Sequence, residues 1–297
     1  MNILSDIIVR FLGTRGSYPV SGKEYSKYGG KTTCVAIEIL ENILIFDAGT
    51  GIIDYGKELI KNKQKNIHLF FSHTHIDHIQ GLPYFMPLFY KNSKINIYGP
   101  KLNNKEIKDV CCEFMSNTFF PVELIQTSSN KNFYTNNDEK NYIINVETSD
   151  LEIKNRNDID RNDIGNKIII KCKKVENHPV GGVSIYRIEY KGKSVVFATD
   201  VEGKYDGDSS LIAFAKESNI LIQDATYLDE DYKNKVGWGH STGKMAGINA
   251  KYASVKKLVL THHDPEHSDI VVESKLESTK EYFENSTLAY DNCIIKI

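Results

Sequence analysis

Five strand-like apolar runs in this chain lead directly to a side chain able to hold a proton or a cation. "NILIF" leads to Asp47, "IHLFF" to the His73 cluster, "SVVFA" to Asp200, "NILIQ" to Asp224 and "KLVLT" to His262. Short continuous runs of Ile, Val, Leu and Phe are what strands buried on both faces require. One Asp after such a run only serves a turn. Five such ends instead suggest a fold that gathers chemistry at one edge of a sheet, beyond the carboxyl ends of its strands.

The rest of the patterning agrees. "DIIVRFLG", "CVAIEIL", "KINIYG", "KIIIKCK" and "VSIYRIEY" also read as strands, and helical patterns lie between the runs. "IIDYGKELIKN" is one. "STGKMAGINAKYASV" offers Ser241 or Thr242 as a cap, with Met245, Ile248 and Tyr252 at helical spacing. "DIVVESKLESTKEYFEN" places Val272, Leu276 and Phe283 on one face. Interleaved strands and helices predict an α/β layered architecture. Hairpins turning at Glu41-Asn42 and at Lys191-Gly192 require antiparallel pairs, so a mixed-sheet sandwich with helices outside is expected. The 297 residues read as one domain, 1–297, with residues 126–166 as a polar, solvated insertion rich in Asn, Asp and Lys.

A formal net charge of −2 and a pI of about 6.5 argue against a basic face, so long nucleic acid is not an expected partner. Five cysteines without a CxxC pair read as reduced thiols of a cytoplasmic protein. The opening "MNILSDIIVRFLGTRGS" is interrupted by Asp6 and Arg10 and reads as a first strand entering a glycine turn. No apolar run approaches the roughly 18–20 residues of a membrane span.

The densest polar cluster is "SHTHIDH". His73 and His75 are two apart, so an extended backbone projects both the same way, while Asp77 and His78 follow where a helix begins. One tetrahedral ion rarely takes all four from so short a stretch. Two ions roughly 3.5–4 Å apart divide them more easily. Imidazole and carboxylate without thiolate suit zinc, manganese or iron.

These residues match the HxHxDH motif of the metallo-β-lactamase superfamily. "NHPVGG", "FATD" and "LTHHDP" resemble the later motifs of its phosphodiesterase branch, and the likeness runs from "FLGTRGSYPVSG" to "HHDPEHSD". The resemblance implies an αββα sandwich with a dinuclear site, most simply of two Zn2+ with Mn2+ or Fe2+ as alternatives. One ion would have His73, His75, His178 and Asp200; the other would have Asp77, His78, Asp200 and His262. Asp47, in "FDAGTG", would orient a ligating imidazole. His263 and His267 read as loop histidines, His263 replacing His262 only if the register slips by one. "ILIQDATY" and "GWGHSTGKMAGINA" resemble ribonuclease Z-like phosphodiesterases, in which a carboxylate orients a histidine toward the phosphoester. Here Asp224 would hold His240, with Asp standing where ribonuclease Z generally has Glu. His240 would protonate the leaving oxygen, and Asp77 would help position the attacking hydroxide. Arg15 is the candidate phosphate contact and Trp238 the candidate base contact.

Ribonuclease Z carries a tRNA-grasping arm between the motifs that correspond to His178 and Asp200. Here one hairpin fills that interval. "YGGKTTC" and "IQGLPYFMPLF" resemble small-substrate members instead. The expected activity is therefore hydrolysis of a small cyclic phosphodiester, first of all 3′,5′-cyclic nucleotides to monophosphates, by a homodimer. Three alternatives stand beside it: a ribonuclease Z-like tRNA 3′-processing endonuclease, a hydrolase of carboxylic esters, thioesters or lactones on the same fold, and a metal-binding module without catalysis.

Overall fold

The computed structural model describes residues 7–158, 165–179 and 181–297. Two mixed sheets pack face to face with helices on both outer faces. The first runs, in spatial order, Cys293–Lys296, Ile8–Gly13, Cys34–Ile39, Asn42–Phe46, Asn66–Phe70, Lys94–Gly99 and Asn130–Thr135. The second runs Ser286–Leu288, Leu258–Thr261, Ile220–Asp224, Lys193–Ala198, Val183–Tyr190, Lys167–Val175, Lys140–Asn145 and Leu151–Asn155. This is the αββα sandwich that the patterning and the resemblance predict.

Alternation along each strand builds the layers. Leu44, Phe46, Phe70 and Tyr98 face across to Tyr142, Ile144, Tyr186 and Phe197, forming the apolar layer between the sheets. Their neighbours Ile43, Ile45, Ile67, Leu69, Ile95 and Ile97 face outward, under helices Ile52–Lys61 and Ile107–Phe114. On the other side, Val196, Leu221, Leu258 and Leu260 meet helices Ser209–Ala215, Gly243–Tyr252 and Asp269–Lys280. Val272, Leu276 and Phe283 pack there as their shared face predicts. Thr242 caps helix Gly243–Tyr252, its side chain accepting from the Met245 amide.

Parallel pairing gives the fold its functional edge. Asn42–Phe46 lies parallel to Asn66–Phe70, and Lys193–Ala198, Ile220–Asp224 and Leu258–Thr261 form a parallel trio. Their carboxyl ends therefore emerge on one side. There the sheets are stitched together: the Tyr186 hydroxyl donates to the Phe71 carbonyl at 2.6 Å, and the Ser184 amide to the Ser72 carbonyl at 2.8 Å.

Two expectations change in detail. The first hairpin turns at Leu40-Glu41, one residue early, because Asn42 already pairs with Ile39 and Leu40 takes the left-handed conformation at φ 53°. The Lys191-Gly192 turn stands, with φ 46° and 73° at its two residues, the primed geometry that right-twisted strands favour. The polar stretch 126–166 is not simply a solvated insertion. It supplies Asn130–Thr135 to one sheet edge and Lys140–Asn145 with Leu151–Asn155 to the other; Tyr142 and Ile144 enter the core, and 159–164 lie outside the described residues. The outermost strands Asn130–Thr135 and Leu151–Asn155 are only partly buried, which is where the polar residues of this stretch are carried. Among the described residues no helix is long and apolar enough to cross a membrane.

His68 is fully buried at the layer between the sheets, its Nδ1 2.9 Å from the Tyr98 hydroxyl and its Nε2 without a hydrogen-bond partner. Burial, then the charge of Lys94, brings its pKa down to about 3. The folded ring stays neutral while an unfolded one takes a proton near pH 6.5. This contribution to stability is therefore complete above that pH and is lost on acidification toward 3. Urea unfolding of His68→Gln, which keeps a partner for Tyr98, should show a shallower loss of stability between pH 6 and 4. The difference should be at most about 1.4 kcal/mol per pH unit.

Candidate metal centre

At the edge where the strands emerge, three residues that are not glycine adopt left-handed backbone: Asp47 at φ 62°, Asp200 at φ 53° and His262 at φ 59°. Such conformations cost free energy and concentrate at functional sites. Each turns its chain sharply as a strand ends, so that the side chain looks into the gap between the sheets.

"SHTHIDH" divides as its spacing suggests. His75 precedes the short helix Ile76–Ile79 in extended conformation, and Asp77 and His78 lie in the helix itself. His73, His75 and His178 gather at one point; Asp77, His78, Asp200 and His262 gather at a second beside it. Asp200 stands between them. Its Oδ1 lies 3.2 Å from His78 Nε2 and 3.3 Å from His262 Nε2, while its Oδ2 lies 3.8 Å from His73 Nε2 and 3.9 Å from His178 Nε2. One carboxylate thus presents one oxygen to each group. Asp77 Oδ2 is 3.1 Å from His78 Nε2 and 3.2 Å from His262 Nε2.

The far nitrogens of these rings are held from behind. Asp47, fully buried, accepts from the Ser72 amide and hydroxyl at 2.7 and 2.8 Å and contacts His78 Nδ1 at 2.8 Å; Ser72 Oγ in turn lies 3.0 Å from His73 Nδ1. One aspartate therefore orients one imidazole directly and a second through a serine. His178 Nδ1 is 2.9 Å from the Gly239 carbonyl, and His262 Nδ1 is 2.9 Å from Thr226 Oγ1. With Nδ1 occupied, Nε2 of each ring faces the centre. His73 Nε2 and His78 Nε2 are buried there without a hydrogen-bond partner. Convergent unpaired imidazole nitrogens around buried carboxylates are the donor set of a divalent metal site, and the residues present fit two ions. Burial, then the charge of His78, holds His73 well below its ordinary pKa, leaving the ring neutral as a ligand must be. For His78 burial acts the same way but is outweighed by Asp200, Asp77 and Asp47, which raise it well above the ordinary value. That same negative potential attracts cations.

His240 Nδ1 lies 2.7 Å from Asp224 Oδ2, so the shorter Asp reaches where ribonuclease Z generally has Glu. Its side chain is 12% exposed and opens to the centre, whereas Asp224 is sealed behind it.

Arg15 does not stand where a phosphate contact should. Its side chain is fully buried and donates to the carbonyls of Gly29, Asp264 and His267 at 2.9, 3.0 and 2.7 Å, so it ties loops together. Its neighbours are the ones that reach the centre. The Ser17 amide donates to Asp77 Oδ2 at 2.8 Å, and a Cβ on Gly16 would lie 2.2 Å from the His262 ring. Trp238 is 59% exposed on the loop leading to His240 and belongs to no core cluster. The His263 Nε2 faces the Ala289 carbonyl at 2.9 Å, away from the centre, so the register at His262 holds.

Residue-type reasoning also passed over Ser17, Ser72, Thr226 and Glu202. Glu202 accepts from the amides of Gly237 and Gly239 at 2.7 and 2.9 Å and from the Tyr232 hydroxyl at 2.7 Å, clamping the loop that carries Trp238 and His240. The available signal was proximity: Ser72 adjoins His73, and Ser17, Glu202 and Thr226 each lie two beyond a singled-out residue, Arg15, Asp200 and Asp224.

The family model for the beta-lactamase superfamily domain matches residues 42–263. The chain belongs to that family. This beta-lactamase superfamily protein is similar over 95% of its length to Ribonuclease Z of Picrophilus torridus, at 28% identity and 93% of that protein. It is similar to Ribonuclease Z of Bacillus subtilis at 24% identity, over 95% of this chain and 96% of that one. Among solved structures it resembles the metallo-beta-lactamase fold protein YhfI from Bacillus subtilis, with TM-score 0.70, 18% identity and coverage of 99% and 100%. It also resembles human tRNase Z, short form, with TM-score 0.63, 21% identity and coverage of 98% and 99%. A third is Zn(2+)-bound PqqB from Methylobacterium extorquens, with TM-score 0.61, 14% identity and coverage of 98% and 100%. At these identities the structures establish the fold alone. Family and site together make the chain a metal-dependent hydrolase.

The relatives overturn one expectation. Net charge argues against long nucleic acid as a partner, yet near-full-length relatives are named ribonucleases. The physical reason is that net charge sums the whole surface, whereas phosphates are met by the local field and by cations held at the site.

Asp200→Ala removes the carboxylate shared by both groups. Elemental analysis after zinc loading should find bound metal reduced from two ions per chain to fewer than one, with hydrolysis lost and far-ultraviolet dichroism unchanged. Two ions retained would show that Asp200 bridges nothing.

Proposed function

We propose that this protein hydrolyses phosphodiester bonds in RNA, as the name of its ribonuclease Z relatives indicates, using two divalent ions. The observation that carries the reading is the Asp224–His240 pair beside the paired donor groups. Expulsion of a ribose alkoxide needs a proton, which an imidazole held by a carboxylate can deliver, and the ribonuclease names of the relatives favour a phosphodiester over a carboxylic ester, whose alkoxide would need a proton too. His73, His75 and His178 would hold one ion, Asp77, His78 and His262 the other, and Asp200 both. The imidazole-rich donor set and the zinc-bound structural relative favour zinc, with manganese or iron compatible with the carboxylates. When bound, the ions supply the positive charge that acidifies a water and draws charge off the phosphoryl oxygens.

The chain's own groups account for the other steps. Asp77, steadied by the Ser17 amide, orients the attacking water. His240, held by Asp224, delivers a proton to the leaving oxygen. Burial lowers the His240 pKa, but the charge and hydrogen bond of Asp224, then Asp200 and Asp77, raise it to about 9. Bound cations cancel the last two contributions, and the Asp224 contact remains. That contact favours the protonated ring, the state a proton donor needs.

A second reading rests on the Lys191-Gly192 turn. Val183–Tyr190 and Lys193–Ala198 are joined by those two residues alone, so among the described residues no arm for grasping tRNA rises between His178 and Asp200. A small cyclic phosphodiester, such as a 3′,5′-cyclic nucleotide, suits a site without one. Metal-loaded and chelated protein should be given a precursor tRNA with a 3′ trailer, a panel of cyclic nucleotides and carboxylic ester substrates. Metal-dependent trailer cleavage supports the first reading, and conversion of cyclic nucleotides alone supports the second. Turnover of esters with no phosphodiester cleaved overturns both.

His240→Ala should lower kcat by about 10²–10⁴-fold on substrates with an alkoxide leaving group. It should cost far less on bis-(p-nitrophenyl) phosphate, whose phenolate leaves without a proton. The wild-type rate should fall on an alkaline limb as the donor is lost, and that limb should lie below 9 because the ions offset part of what raises His240. Asp224→Asn should move that alkaline limb to lower pH.

A further inference from the structure

Thr226 sits between the second donor group and the acid pair and touches both. It is 2% exposed, two residues beyond Asp224. Its Oγ1 lies 2.9 Å from Asp224 Oδ1, 2.9 Å from His262 Nδ1 and 2.9 Å from the His262 carbonyl. A hydroxyl has a single proton to give, so these contacts must have a direction.

The direction follows from the ring. His262 Nε2 faces Asp77 and Asp200, the position of a ligating nitrogen, so the proton of the neutral imidazole resides on Nδ1. That N–H donates to Thr226 Oγ1, which leaves the hydroxyl proton for an acceptor. The Asp224 carboxylate is the stronger acceptor of the two within reach. Its Oδ1 also accepts from the amides of Thr226 and Ser241 at 2.9 and 3.1 Å, and its Oδ2 from His240. An unbroken chain of hydrogen bonds then runs from His262 through Thr226 to Asp224, where it meets His240.

The main chain at this turn is held from outside. Lys275, 1% exposed on helix Asp269–Lys280, donates from Nζ to the carbonyls of Ala225 and Thr226 at 3.0 and 2.6 Å. An amine enclosed by protein is retained only with such partners. Its length and burial leave the turn little freedom.

We propose that Thr226 is a positioning residue that fixes the tautomer of His262 and couples that ligand to the Asp224–His240 pair, the turn being pinned by Lys275. The proposal rests on the two-ion phosphodiesterase reading, but its test uses no substrate. Thr226→Val removes the hydroxyl with little change of shape, and Thr226→Ser keeps it. Titration of the metal-free proteins with zinc should show affinity for the second ion about 10–100-fold weaker in the valine variant and restored in the serine variant. In zinc-loaded protein labelled with 15N-histidine, the protected Nδ1–H resonance of His262 should be present in wild type and serine and absent in valine. A purely structural threonine would alter thermal stability and neither of these. Should the valine variant fail to fold, Thr226→Ala takes its place. Unchanged second-ion affinity together with a retained Nδ1–H resonance would overturn the proposal. Failure of the RNA reading would leave both readouts standing.

Discussion

Asp200 is a carboxylate enclosed almost completely by protein, and the arrangement of the site follows from what that requires. An ion stripped of water costs several kcal/mol unless charge and hydrogen bonds surround it. Asp200 comes from the second sheet, while His73 and His78 come from the first. Only closure of the sandwich brings them within a few ångströms. The Tyr186 and Ser184 bonds to Phe71 and Ser72 cross the same edge, so the stitch that aligns the sheets also aligns the site.

Around that carboxylate the protein controls which nitrogen of each ring is free. Asp47, Ser72, the Gly239 carbonyl and Thr226 occupy the Nδ1 positions and turn the Nε2 atoms inward. These partners sit on left-handed turns or on loops held by others, as Glu202 holds Gly239 and Lys275 holds Thr226. A buried polar network is stable only when its members are satisfied, which explains why so many loops are tied to one another here. Arg15, which has the chemistry to meet a phosphate, is used for this tying instead.

The functional alternatives turn on what surrounds the catalytic groups. The acid pair and the paired donor groups suit any phosphodiester with a poor leaving group. The relatives point to RNA, whereas the short Lys191-Gly192 turn points to a substrate that needs no grasping arm. Trp238 is exposed on a loop clamped by Glu202, two residues before His240.

Much of the fold could be read from the chain alone, because apolar periodicity and hairpin turns are local. The strand runs, the hairpin at Lys191-Gly192, the cap at Thr242 and the division of "SHTHIDH" between extended chain and helix all depend on neighbours in sequence. The residues at strand ends could be read for the same reason: one such carboxylate or imidazole can serve a turn, but five of them mark a common edge. The fates of Arg15, Ser17, Glu202, Thr226 and Lys275 could not. Their partners lie far along the chain, and whether a cation meets phosphate or backbone carbonyls depends on burial that only packing creates. The sequence by itself determined which side chains could form the site and on which strands they would end. Tertiary structure alone decided which nitrogen of each ring is free, which oxygen of Asp200 faces which group, and what holds the loops, because those are distances between segments that share no local signal.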